Sequence, residues 1–123
     1  MAVGDFRAPD LHYKGWLEKV QESDDLTIIK PAEGEVFFTN LGASKKEITV
    51  SGVIKNRKGK VLVIIRTDRD YPQALIPSKR DDTWNASGCT LGGVDHQIYA
   101  VLVDGKDTPL IRSTVVNVRL ERR

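Results

Sequence analysis

Cysteine is almost missing from this chain: Cys89 stands alone among 123 residues. A lone thiol closes no intramolecular disulfide and anchors no cysteine-rich zinc site. Histidine is equally scarce, with only His12 and His96. With Cys89 they offer three nitrogen and sulfur groups at most, short of the four that close a structural zinc site, and no cofactor is expected. Charge of one sign is missing too. Nineteen Lys and Arg face seventeen Asp and Glu, a net +2, short of the basic excess that marks a nucleic-acid-binding face. No apolar run approaches the ~20 residues that cross a bilayer. The longest, 61-VLVII-65, has the length of a strand. The opening MAVGDFRAPDLHYKG lacks the apolar stretch of about 7–15 residues that a secretory signal carries behind its basic start. The expectation is a cytoplasmic protein as written, or an extracellular or virion-associated one as part of a larger chain or assembly.

What is present suits one globular domain. The length suffices for a single core without staples. Hydrophobic residues at 40% and charged residues at 29% are ordinary for such a domain. Residues 1–25 read as an N-terminal arm. Within it Leu11, Tyr13, Trp16, Leu17 and Val20 recur at helical spacing behind Pro9 and a capping Asp10, which predicts a short helix over 10–22. Gly15 weakens that helix by about 1 kcal/mol relative to Ala.

Residues 26–123 read as one β domain. Val- and Ile-rich bursts arrive roughly every ten residues between Gly, Asn, Asp and Pro. The candidate strands are 26–30, 35–40, 46–55, 60–68, 72–77, 83–90, 96–103 and 111–121. Seven or eight mostly antiparallel strands at this spacing predict an all-β sandwich or barrel. No connection is long enough for the crossover helix of a parallel sheet. Pro31 breaks the first strand and lets the chain change sheets. In 55-KNRKGK-60, Asn56 starts a turn and Gly59 takes its left-handed position. Asp104-Gly105 makes another tight turn.

Alternation identifies the buried faces. Ile48, Val50, Gly52 and Ile54 alternate with polar neighbours. The strand 96-HQIYAVLV-103 is apolar on both faces and should be central. Trp84, alone on a polar strand, is the large core plug. With Tyr99, Val101, Val63 and Val118 it completes the expected core.

This succession resembles a bacterial immunoglobulin-like or fibronectin-III-like module over about residues 26–121. The likeness rests on 28-IIKPAEGE-35, 48-ITVSGVI-54, 61-VLVIIRTD-68, 83-TWNASG-88, 98-IYAVLVDG-105 and 113-STVVNVRL-120. Tyr99 stands where such domains often place a core or corner tyrosine. The paired strand cysteines of antibody domains are absent. The resemblance implies an immunoglobulin-like antiparallel sandwich used for binding, spacing or display, and it transfers no functional residue.

Chemistry is sparse. Cys89 and His96 invite comparison with a thiol–imidazole pair, but small strand-like neighbours around Cys89 read as a buried hydrophobe, and His96 reads as an exposed imidazole starting a strand. In 68-DRDYP-72 and 81-DD-82 the acids of a conceivable calcium loop are interleaved with Arg and Lys that repel a cation. Gly92-Gly93 lacks the Lys and Ser/Thr of a phosphate loop. The 85-NAS-87 sequon matters only in a glycosylating pathway. The candidate partner or ligand surface is Tyr13, Trp16 and Tyr71 with the basic tip residues Arg57 and Lys58. The expected function is a non-enzymatic module that binds another protein or a domain of a larger assembly, with carbohydrate recognition as the alternative. That alternative needs Trp16 and Tyr71 exposed in one plane.

Overall fold

The computed structural model describes residues 16–40, 43–77, 82–106 and 108–122. A one-turn helix, α1 (Trp16–Lys19), precedes nine strands: β1 (Leu26–Lys30), β2 (Glu35–Thr39), β3 (Lys46–Ile54), β4 (Lys60–Arg66), β5 (Asp70–Pro77), β6 (Thr83–Leu91), β7 (Asp95–Val103), β8 (Pro109–Arg112) and β9 (Val116–Arg122). The fold is all-β, in two facing sheets that do not close into a barrel. One sheet is ordered β1-β3-β6; the other is β2-β9-β7-β4-β5, with β8 also on β7.

The chain does change sheets at Pro31. β1 pairs antiparallel with β3 in the small sheet. Shortly after the proline, β2 begins at Glu35 and pairs with β9 in the large sheet, the one parallel pairing among the described strands. Because Pro lacks an N–H and fixes φ, it ends one ladder where the next can start.

The period-two pattern gives the core. Ile48, Val50 and Ile54 of β3 and Trp84, Ala86, Cys89 and Leu91 of β6 face Val61, Val63, Ile65, Ile98, Ala100, Leu102, Val118 and Leu120 of the large sheet. β6 keeps its face inward across an extra-residue bulge: the register passes from Ile48↔Cys89 to Val50↔Ala86. Gly88 takes up the offset at φ +74°, a conformation that costs a side-chain-bearing residue far more.

β4 and β7 are buried on both faces, and their outer faces form a second core. Leu62, Ile64, Tyr99, Val101 and Val103 pack there around Trp16, with Leu17, Val20, Leu75 and Val115 at the margin. Trp16 is only 6% exposed. It fills the outer face of the sheet and offers no aromatic surface to a ligand, which corrects its place among the surface aromatics.

Three further expectations change. The helix over 10–22 is, within the described residues, the single turn of α1. Beyond Val20 the backbone pairs with β8 instead: Arg112 donates to the Gln21 carbonyl and Ser23 to the Arg112 carbonyl, both at 2.9 Å. The single strand over 111–121 is two strands. Ser113 interrupts it, its hydroxyl accepting the Ala100 N–H and donating to the Thr114 carbonyl, both at 2.9 Å. A side chain that bonds to backbone in this way replaces a ladder rung. At the 55–59 turn the left-handed residue is Asn56, at φ +61°, with Gly59 at +154°.

Candidate functional site around His96

The turns at one end of the sheets, 67–69, 92–94 and the approach to β2, enclose two clefts. The first, of about 550 Å³, opens on the outer side between Gly34, Arg66, Asp95, Gln97, Asn117 and Arg119. The second, of about 470 Å³, lies between the sheets against Lys45, Asp68, Tyr71, Gln73, Thr90 and the Gly92-Gly93 turn. Thr67 and His96 line both.

His96 is the main correction. It is 2% exposed, whereas its polar character at a strand start suggests an exposed imidazole. His96 pairs with Val118 and shares the inward face of Ile98, Ala100 and Leu102, so the same alternation that buries those residues buries the histidine. That signal is readable in the sequence. Its Nε2 accepts the Gly92 N–H at 3.2 Å and the Gly93 N–H at 3.0 Å. Burial pushes its pKa below the ordinary imidazole value, against the opposing influence of the Val94 carbonyl, Asp95 and the Val118 carbonyl.

Cys89 is buried, as expected. It belongs to the small sheet and donates to the Ala86 carbonyl at 3.4 Å, while the His96 Nε2 is taken by the glycine amides. Thiol and imidazole thus have separate partners. Burial pushes the thiol pKa up to about 11, which leaves on the order of one molecule in ten thousand as thiolate at pH 7. Native Cys89 is expected to react with iodoacetamide at least about a hundredfold more slowly than in urea-unfolded chain. Fast native alkylation at pH 7 that slows in His96→Ala would restore the thiol–imidazole pair.

The acids of 68–70 point apart. Asp70 turns inward, 3.3 Å from the Arg66 Nε, beside Tyr99, whose hydroxyl pKa is raised by burial and by that carboxylate. Arg66 also binds Glu18, holding its carboxyl below the usual range and tying α1 to the sheet. Asp68 instead accepts from the Thr67 and Tyr71 hydroxyls, both at 2.9 Å.

Tyr71 is 37% exposed on the wall of the second cleft. The Arg69 guanidinium stands over its ring at 5.3 Å, and Arg69 Nε donates to its hydroxyl at 3.0 Å. Arg57 and Lys58 sit on the β3–β4 turn, at the opposite end of β4, with Arg57 bound to Asp25 at 3.0 Å. Tyr13 lies outside the described residues. The fold therefore does not bring these five residues onto one surface. Gln73 shares β5 with Tyr71, whereas Thr90, His96 and Lys45, which join them at the cleft, come from β6, β7 and the approach to β3 and leave no local motif to read. Among the described residues no helix is long and apolar enough to cross a membrane. Compared with protein-family models, curated proteins and solved structures, the chain matches none.

Proposed function

We propose that this chain is a non-enzymatic binding module with an immunoglobulin-like sandwich, recognising another protein or a neighbouring domain of an assembly through the Tyr71 cleft. The strand order supports the sandwich type. With strands lettered along the chain, β1, β3 and β6 take the places of A, B and E. β4, β5, β7 and β9 take those of C, C′, F and G. The Trp on β6, rather than on the C strand, departs from the antibody pattern.

The observation that carries the binding reading is the fixing of Tyr71. A half-exposed aromatic held by Arg69 and Asp68 on a cleft wall loses little freedom when a partner docks. Tyr and Arg are also the residues that dominate interface energies. Flat sugar recognition would gain from Trp16 beside Tyr71, and Trp16 is buried, so a protein partner is favoured. Screening the full chain on an immobilised peptide library and a glycan array tests this. A peptide ligand should lose about 2 kcal/mol, roughly thirtyfold in Kd, on Tyr71→Ala, with Tyr71→Phe intermediate. Peptide binding indifferent to Tyr71→Ala would remove the site, and Tyr71-dependent glycan binding would replace the partner class.

A further inference from the structure

We infer that His96 is an acid-released latch on the turn at residues 92–94, whose two glycines wall the second cleft. An imidazole nitrogen accepts a hydrogen bond only while it carries a lone pair. Nε2 accepts two, from the Gly92 and Gly93 amides, so the ring is neutral with its proton on Nδ1. Adding a proton at Nε2 sets three donors against one another with no acceptor between them. Both bonds must then break. Among the described residues Nδ1 is buried without a hydrogen-bond partner of its own, and the Val94 and Val118 carbonyls and Asp95, which favour the charged ring, do not outweigh its burial.

The turn has little else to hold it. Its two glycines carry no side chains. A methyl on Gly92 would meet only Lys45, at 4.0 Å, and one on Gly93 only the His96 Nε2 and Thr67, at 3.8 and 3.9 Å. The next anchor is the Val94 carbonyl, which accepts from Leu120 at 2.8 Å. Since Gly92 and Gly93 line the second cleft with His96, release of the turn opens that cleft's wall.

The charged groups around the ring come from several elements. Asp95 on β7 and Asp68 in the 67–69 turn favour an emerging imidazolium. Arg66 at the end of β4, Arg119 on β9 and Lys45 before β3 oppose it. Arg119 and Arg66 are themselves paired, with Asp95 at 3.4 Å and Asp70 at 3.3 Å.

The sign follows from linkage. The released ring has an ordinary pKa near about 6.5, and the latched ring a lower one. The latch is therefore fully set above about pH 6.5 and is lost as pH falls through the pKa of the latched ring. It stands whether or not Tyr71 recognises a partner, because it is read at the glycine amides.

Amide hydrogen exchange of the full chain between pH 8 and pH 4.5, with ring-nitrogen shifts of His96, tests it. Protection factors of Gly92 and Gly93 should fall by up to about tenfold per pH unit below about 6.5, ahead of the amides of β4 and β7. The neutral ring should carry its proton on Nδ1. His96→Gln, which offers a carbonyl oxygen that does not titrate, should flatten the pH dependence. Constant glycine protection while His96 titrates would overturn the latch, as would loss of all amides together or a neutral proton on Nε2. If His96→Gln fails to fold, the wild-type titration still decides.

Discussion

Replacing Gly52 with Ala is expected to cost about 3 kcal/mol or more in urea unfolding, above the ordinary range for an added methyl. Gly52 is central on β3, flanked by Ile28 on β1 and Trp84 on β6. A methyl there would overlap the Thr27 carbonyl oxygen and come within 2.5 and 2.8 Å of the Trp84 indole carbons. A flexible side chain could yield, but the carbonyl belongs to the β1 backbone beside a register shift between Ile28 and Lys30. Accommodating the methyl means moving a strand. Trimming the partner by Trp84→Phe should therefore not rescue Gly52→Ala. A loss under about 1 kcal/mol for Gly52→Ala would show that β1 can shift freely.

Trp84→Ala is expected to cost about 3–5 kcal/mol. The indole is fully buried between the sheets and is the largest side chain of the shared core. Its loss would leave a cavity that two sheets, joined at Pro31 and by the turn at 92–94, cannot close around. The indole Nε1 is buried without a hydrogen-bond partner among the described residues, so Trp84→Phe forfeits no bond seen there and should cost clearly less than Trp84→Ala. A loss below about 1 kcal/mol for Trp84→Ala would place the ring on a compliant surface.

Both residues are legible in the amino-acid order alone. The alternation in 46–54 puts Gly52 on the buried face between Val50 and Ile54, and Trp84 has no other large apolar residue beside it to share its task. The candidate core residues Trp84, Tyr99, Val101, Ile48, Val50, Val63 and Val118 are all buried. Periodicity is a local signal, and it serves wherever burial follows from local alternation.

It fails where burial or pairing is decided at a distance. Nothing local to Ser113 announces that its hydroxyl will take the Ala100 amide. Nothing local to 35-EVFFT-39 announces a parallel neighbour. That 61-VLVII-65 is apolar on both faces is visible, but the side chain that covers its outer face, Trp16, lies far back in the sequence. His96 is a different case. Its parity with Ile98 is readable, and the polarity of the residue type outweighs it in a reading by residue type. The site is hardest to read because its cleft is assembled from strand ends and turns, each supplying one or two side chains.

The parallel pairing of Glu35–Thr39 with Val118–Arg122 also bears on the order of events during synthesis. β1 can find β3 within a few tens of residues, whereas β2 waits about eighty residues for its partner strand. Until then Val36, Phe37 and Phe38 leave the ribosome as an unpaired, aromatic, β-prone segment of the kind that invites mispairing. Among the described strands the last in chain order, β9, is thus the one that pairs this segment, and it does so from an interior position, filling the gap between β2 and β7. A nascent chain lacking β9 would carry raw edges on both β2 and β7 where β9 lies in the folded sheet, and both are covered at once when β9 arrives.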